Sequence, residues 1–87
     1  MFMVKHIKTA TGFEMDIDES VIDDMELFDA VAAIQGGDVF AVPTVIDKLC
    51  GEQKKALYDH CRLDSGRVPT QAVVAEITEI FNGLQKN

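Results

Sequence analysis

The most regular apolar spacing in the chain runs from Val73 to Leu84 and predicts a long amphipathic helix. Its apolar residues recur as on one face of an α-helix: Val73, Val74, Ile77, Ile80, Phe81 and Leu84. The opposite side is expected to face water: Gln71, Glu76, Thr78, Glu79 and Asn82. Pro69 suits a helix start and Gly83 a left-handed C-cap, so the predicted helix spans about residues 69–82. A stripe of this width needs an apolar partner, which the rest of the chain must supply.

Three shorter helices are predicted before this one. Their spans are about residues 24–34, 43–50 and 52–62. Asp23 is predicted to be the N-cap of the first, and Gly36 and Gly37 to end it. The apolar stripes are Leu27, Phe28, Val31 and Ile34 in the first helix, Val42, Val45, Ile46, Leu49 and Cys50 in the second, and Ala56, Leu57 and Cys61 in the third.

Residues 3–18 predict a β-hairpin that turns at residues 9–12. The second arm alternates strictly, with Phe13, Met15 and Ile17 on one side and Glu14, Asp16 and Asp18 on the other. The first arm is less regular, because Val4 and Ile7 have opposite parity. An isolated hairpin is marginal in water, so this one is expected to lie on the helices or to extend a sheet in a neighbouring subunit.

The expected fold is mainly α (α+β): an N-terminal β-hairpin followed by a small bundle of about four helices. A chain of 87 residues has room for one domain, which is assigned to residues 1–87. A domain this small has a thin margin of stability, and self-association is a natural way to bury more surface.

Acidic residues are concentrated in the first third of the chain. The protein has 15 Asp and Glu residues against 8 Lys and Arg, which gives a net charge of −7. Eight of the carboxylates and no Lys or Arg lie between Phe13 and Asp29. Phosphate-backbone binding requires a basic face, so no nucleic-acid partner is expected. The acidic stretch is interpreted either as a solvated face that keeps the protein soluble or as a docking surface for a basic partner.

The apolar runs of the chain are all short. None approaches the roughly 20 residues that a membrane span requires, and the N-terminal residues do not resemble a signal peptide. We therefore expect no membrane association and place the protein in the cytoplasm.

Each candidate metal site in the sequence is incomplete. A calcium loop that begins at Asp16 would need Gly and Glu where Val21 and Leu27 stand. A zinc site could be written from Cys50, Cys61, His6 and His60, which lack the paired spacing of such sites. Buried, inert thiols are the simpler interpretation of both cysteines.

The candidate catalytic patterns are also incomplete. His60 and Asp59 are neighbours and do not face each other on a helix. Ser65 stands in a predicted turn, unlike the modified serine that opens a helix in acyl carrier proteins. The sequence thus predicts no catalytic residue, no metal and no cofactor, and a protein that is not an enzyme.

Several segments together resemble one family, the tail assembly chaperones of long-tailed (siphovirus-type) phages and prophages of Gram-positive bacteria. The matching segments span nearly the whole chain: residues 8–13, 23–26, 51–60, 64–69 and 76–81. The helix start at Pro43 also fits, whereas Cys50, Cys61 and Phe40 are not part of the resemblance.

This resemblance implies a non-enzymatic protein that coats the tape-measure protein before the tail tube polymerises around it. Such chaperones self-associate into rings or spirals and are absent from the finished tail. A longer form is commonly made by translational frameshifting. The implied partners are copies of the chain, the tape-measure protein and, as a further candidate, the tail tube protein.

Four residues are candidates for contacts with a partner or a second copy: Phe2, Val39, Phe40 and Val42. The last three precede Pro43 in an apolar stretch expected to be exposed, and ordinary core packing is the alternative for each. A second function is also open. The acidic stretch between Glu14 and Asp29 is compatible with an inhibitor that mimics nucleic acid and blocks a host DNA-binding protein.

Overall fold

The computed structural model describes residues 3–85 and has the predicted fold class, an N-terminal hairpin followed by four helices. The elements are β1 (Val4–Lys8), β2 (Glu14–Asp18), α1 (Met25–Gln35), α2 (Val42–Leu49), α3 (Lys54–Cys61) and α4 (Thr70–Gln85). Single turns of 3-10 helix lie at Glu19–Ile22, Val39–Ala41 and Gly51–Gln53. Among residues 3–85, no helix is both long enough and apolar enough to cross a membrane.

The hairpin covers the helices with its apolar face. β1 and β2 are antiparallel, with Ile7 opposite Met15. The predicted alternation in the second arm is confirmed, because Phe13, Met15 and Ile17 are all buried. In the first arm Ile7 is buried and Val4 is exposed on the outer face, which explains the irregular parity.

One hydrophobic cluster joins the inner face of the hairpin to all four helices. Its members are Ile7, Phe13, Met15, Ile17, Leu27, Ala30, Val42, Val45, Ile46, Leu49, Cys50, Leu57, Val73, Ile77, Ile80, Phe81 and Leu84. The apolar stripe of α4 is central to this cluster, as its spacing predicts, with only Val74 partly exposed. In α3 the predicted stripe is wrong at Ala56, which is exposed because this short helix turns Leu57 inward.

Helix α1 begins one residue later than its predicted cap implies. Asp24 is the N-cap: its Oδ1 accepts the backbone N–H groups of Glu26 at 2.9 Å and Leu27 at 3.3 Å. The prediction of Asp23 as N-cap is wrong, because Asp23 closes the preceding 3-10 turn by donating its N–H to the Ser20 carbonyl at 3.0 Å.

The predicted C-cap at Gly83 is also wrong, because α4 continues through this residue to Gln85. Gly83 lies under β1. Its carbonyl accepts from Lys5 Nζ at 2.8 Å, and a Cβ atom built on it would come within 3.2 Å of Ile7 Cδ1. The small residue therefore permits a close approach between α4 and the hairpin.

Candidate interaction surface

Phe40 is displayed by a short, well-braced connection between α1 and α2. Gly37, at φ 99°, ends α1 and donates its N–H to the Ile34 carbonyl at 2.9 Å. Asp38 then begins the Val39–Ala41 turn, and its carboxylate accepts the Phe40 N–H at 3.0 Å. Hydrogen bonds on both sides of the turn hold Phe40 in an outward position.

The predicted exposure of this stretch is right for two residues and wrong for the third. Phe40 is 89% exposed and Val39 52% exposed, the first being the most exposed large apolar residue that the structure describes. Val42 is only 6% exposed, so the prediction that it projects outward is wrong. As the first residue of α2 it belongs to the buried stripe of that helix, with Val45 and Ile46. The fourth candidate, Phe2, lies outside the described residues.

An open apolar groove of about 300 Å³ lies beside this turn. The Val39–Ala41 turn, helices α2, α3 and α4, and the connection before α4 line it, with Val39, Val42, Pro43, Ile46, Tyr58, Val68, Thr70 and Val73. We call these eight residues the apolar groove. Thr70 is its only residue with a side chain that is not mainly apolar, apart from the hydroxyl of Tyr58. A groove of this kind suits an apolar side chain or the apolar face of a helix.

The sequence predicts only two of the eight groove residues, Val39 and Val42, as contact residues. Tyr58, Val68 and Thr70 come from distant parts of the chain. For Val68 and Thr70 the available signal is Pro69, which marks the start of α4 and stands between these two residues. Only the packing of α4 against α2 and α3 brings them to one place.

Both signs of charge border the groove. Lys54 Nζ lies 5.7 Å from the centre of the Tyr58 ring and 3.6 Å from Asp47 Oδ1. Leu63, 53% exposed, donates its N–H to the carbonyl of Arg67 at 2.8 Å, just before the groove residue Val68. In the described part of the chain neither Arg67 nor Asp38 forms an ion pair.

The carboxylates between Glu14 and Asp29 lie on β2, the turn that follows it and α1, and we call them together the acidic face. Lys48 of α2 contacts this face: its Nζ lies 3.0 Å from Asp24 Oδ2 and 3.8 Å from Glu26 Oε1. The bond from Lys48 lowers the pKa of Asp24, and Asp24 in turn raises the pKa of Lys48. Glu26 keeps a side chain that is largely in water, so one lysine does not neutralise the face.

His6 lies between two of these carboxylates on the outer side of the hairpin. Its Nδ1 is 2.7 Å from Asp16 Oδ1, and its Nε2 is 2.8 Å from Glu14 Oε1. Both ring nitrogens must carry a proton to donate both bonds, so the pair favours the imidazolium. The hydrogen bonds that His6 donates to Asp16 and then to Glu14 raise its pKa above 6.5.

Glu76 is the buried centre of a polar cluster that the sequence does not predict. Its position in the apolar pattern predicts that it faces water, yet it is 5% exposed. Its Oε1 accepts from the Thr9 hydroxyl at 2.7 Å, and its Oε2 from the Thr11 hydroxyl at 2.8 Å. The Thr11 oxygen lies 2.9 Å from His60 Nε2, which therefore donates to it. We call these four residues the Glu76 cluster; it fixes the hairpin turn to α3 and α4.

The two cysteines differ in exposure. Cys50 is buried, and burial raises its pKa to about 11, so its thiol stays protonated near neutral pH. Cys61 is partly exposed; burial and then the nearby Glu76 carboxylate raise its pKa. These environments favour thiols over the reactive thiolates.

No protein-family model, curated protein or solved structure matches the chain.

Proposed function

We propose that this protein is a tail assembly chaperone of the kind found in long-tailed phages and prophages of Gram-positive bacteria. In this proposal it acts in the host cytoplasm, self-associates and coats the tape-measure protein. The coat leaves as the tail tube protein polymerises, so the chaperone is absent from the finished particle. The chain acts by binding and not by catalysis.

The observation that carries this proposal is the exposed Phe40 beside an unfilled apolar groove. A tape-measure protein is a long helical client whose apolar stripes must be shielded until the tube forms. A groove between helices accepts the apolar face of such a helix. Many weak contacts along one client give avidity, while each single contact can still be displaced.

The acidic face supports the same role. A coat of many copies brings many chains of net charge −7 together. Carboxylates that point outward keep such a complex in solution and prevent coated clients from sticking to one another.

The direct test is to purify the chain with a tape-measure fragment and measure the mass of the complex by light scattering. We expect several copies per fragment, and fewer copies when Phe40 is replaced by Asp. Met25→Asp is the matched control, because Met25 is also an exposed apolar residue, at 70%, but borders the acidic face. Circular dichroism checks that both variants fold. A wild-type chain that ignores the fragment at high concentration would refute the proposal.

A second candidate function rests on the acidic face alone. Eight carboxylates with few cationic neighbours could present charge to a basic DNA-binding surface, as a nucleic-acid mimic does. A mimic would compete with DNA for a purified host DNA-binding protein. Replacing Asp23, Glu26 and Asp29 by their amides would then weaken the competition, whereas the chaperone role predicts no competition at all.

A further inference from the structure

We propose that the open edge of β1 binds an extended segment of a partner protein, which adds to the hairpin as a third strand and places a carboxylate beside Lys8. This surface is separate from the apolar groove, so the inference goes beyond the proposed function and assigns the chain a second mode of binding. Strand addition takes its affinity from backbone hydrogen bonds and its selectivity from side chains that alternate along the strand.

The hairpin directs the backbone groups of alternate β1 residues outward. Just beyond the end of β1, Thr9 donates its N–H to the Phe13 carbonyl at 2.8 Å, which fixes the pairs that exchange hydrogen bonds. In an antiparallel ladder such pairs alternate with pairs that exchange none. The N–H and C=O groups of Val4, His6 and Lys8 therefore point away from β2. Within residues 3–85 these groups have no hydrogen-bond partner.

The two edges of the hairpin differ in their cover. On the β2 edge, Gln53 Nε2 donates to the Asp16 carbonyl at 2.8 Å, so a side chain from the turn before α3 occupies the place of a new strand. Beside β1, an open cleft of about 360 Å³ separates the strand from α4. Its lining residues are Ile7, Lys8, Glu79, Asn82 and Gly83. Natural sheets usually protect their exposed edges, so the unprotected β1 edge is the one able to pair.

Helix α4 gives the added strand a floor. Gly83 lets α4 pass close under β1, where its carbonyl accepts from Lys5 Nζ at 2.8 Å. Neighbouring strands lie about 4.8 Å apart and a helix with its side chains is about 10 Å wide, so the flank of α4 extends beneath a third strand. Asn82 and Glu79 line the cleft at this flank. The Glu79 carboxylate disfavours a second carboxylate on the inward side of the partner segment.

The outward side of β1 sets the charge of the partner instead. β1 carries Lys5, His6 and Lys8 but no carboxylate. Among residues 3–85 Lys8 has no ionic partner, since Glu14, which lies opposite it, bonds to His6 at 2.8 Å. Side chains directly opposite each other on neighbouring strands are about 5 Å apart, so a partner carboxylate opposite Lys8 forms an ion pair. Val4, 69% exposed, favours a β-branched apolar residue opposite it.

The test uses the full isotope-labelled chain and a short synthetic peptide with Glu, Thr and Val at alternate positions, in the order that places them opposite Lys8, His6 and Val4 in an antiparallel pair. We expect the N–H groups of these three residues to gain protection from hydrogen exchange when the peptide is added. The N–H groups of Asp16 and Asp18 on the covered edge should not change. Protection confined to the apolar groove, or no change in the NMR spectrum at about 1 mM peptide, would overturn the inference.

A charge exchange tests the ion pair. Lys8→Glu should weaken binding of the peptide about three- to tenfold, because an exposed favourable pair becomes a repulsive one. A peptide with Lys in place of Glu should bind this variant more tightly than it binds the wild type. Lys55→Glu is the matched control, since it changes the net charge alike at an exposed lysine of α3. Equal effects of the two variants would overturn the assignment to the β1 edge.

The outcomes separate this inference from the proposed function. A chain that coats a tape-measure fragment but does not bind the peptide overturns this inference alone. A chain that binds the peptide but ignores the fragment overturns the proposed function alone. Protection of the Val4, His6 and Lys8 N–H groups that rises with chain concentration in the absence of peptide would assign the edge to a second copy, and would also overturn the inference.

Discussion

The Glu76 cluster and the apolar groove both include residues of α4, but they differ in whether their side chains find partners within the chain. At the cluster, a buried carboxylate receives two hydroxyl hydrogen bonds at 2.7 and 2.8 Å. At the groove, about 300 Å³ stays open beside an aromatic side chain that is almost fully exposed. Within residues 3–85, no buried side-chain nitrogen or oxygen lacks a hydrogen-bond partner. Polar groups are thus satisfied internally, while apolar surface is left over.

This contrast separates residues that hold the fold from residues that are available for binding. A buried polar group without partners costs free energy that a small domain cannot spare, so its partners must lie within the chain. Exposure of one phenylalanine costs the folded state little free energy by comparison, so its ring can remain available to bind a second molecule. Substitutions in the two regions should therefore have opposite signatures, and four predictions follow that comparison from the largest effect on stability to the smallest.

Replacing Glu76 by Ala should cause the largest loss. It leaves the buried Thr9 hydroxyl without its acceptor, whereas the exposed Thr11 can turn to water, and we expect about 2–3 kcal/mol less stability in urea unfolding. Glu79→Ala is the matched control. Among residues 3–85, Glu79 accepts a hydrogen bond only from the Ala10 N–H, at an exposed site, and its loss should cost clearly less. Equal losses for the two variants would show that the Glu76 cluster is not special.

Gly37→Ala tests the brace behind Phe40. Gly37 has φ 99°, where an L residue is strained, and no neighbouring atom fills the space its Cβ would take. The cost should therefore be conformational, about 1–2 kcal/mol in thermal or urea unfolding. Gly36→Ala is the control, because Gly36 has φ −81° and should be nearly neutral. A neutral Gly37→Ala would mean that this turn is less constrained than its hydrogen bonds imply.

His6 predicts a pH dependence of stability on the acidic face. Asp16 and Glu14 raise its pKa, so the imidazolium stabilises the folded state. This contribution is fully present below the unfolded pKa of 6.5 and is lost as the pH rises through the raised folded pKa. The stability difference between wild type and His6→Gln should shrink over that window. An NMR titration in the Asp16→Asn background should show the His6 pKa moving back toward its ordinary value; no movement would refute the cause.

Phe40→Asp should have the smallest effect on stability and a large effect on association. Its ring is exposed, so the free energy of unfolding at low concentration should stay within about 0.5 kcal/mol of wild type. A marked loss of stability would place Phe40 in the core and remove it from the proposed contact. Glu76→Ala should lower stability and Phe40→Asp should lower association, so the two variants together test whether different residues support folding and binding.

Local patterns predicted the elements well. The period-two alternation in Phe13–Ile17 and the helical spacing in Val73–Leu84 each give the buried face that the structure has. Such patterns arise because neighbours along a strand or helix share a geometry that the chain itself fixes. Boundaries were less certain: Asp23 and Asp24 are adjacent and of one type, and the 3-10 turn before them decides which one caps α1.

The errors have a different origin. The pattern of α4 predicts that Glu76 faces solvent, but the hairpin turn covers it and brings two hydroxyls. Gly83 is predicted to end α4, but β1 lies close enough to need a residue without a side chain. Val42 is predicted to be exposed because it precedes Pro43, whereas α2 begins at Val42 and turns it inward. In each case a distant or newly formed element changed the environment.

The sequence alone determined that this chain is an acidic, mainly helical domain with an N-terminal hairpin, because periodicity, turns and charge depend on residues close together in the chain. Only the tertiary structure decided that Glu76 is buried and that Phe40 is 89% exposed. It also decided that Thr70 and Tyr58 line a groove with Val42. The physical reason is that burial depends on which surfaces pack together, and side chains far apart in sequence settle that outcome.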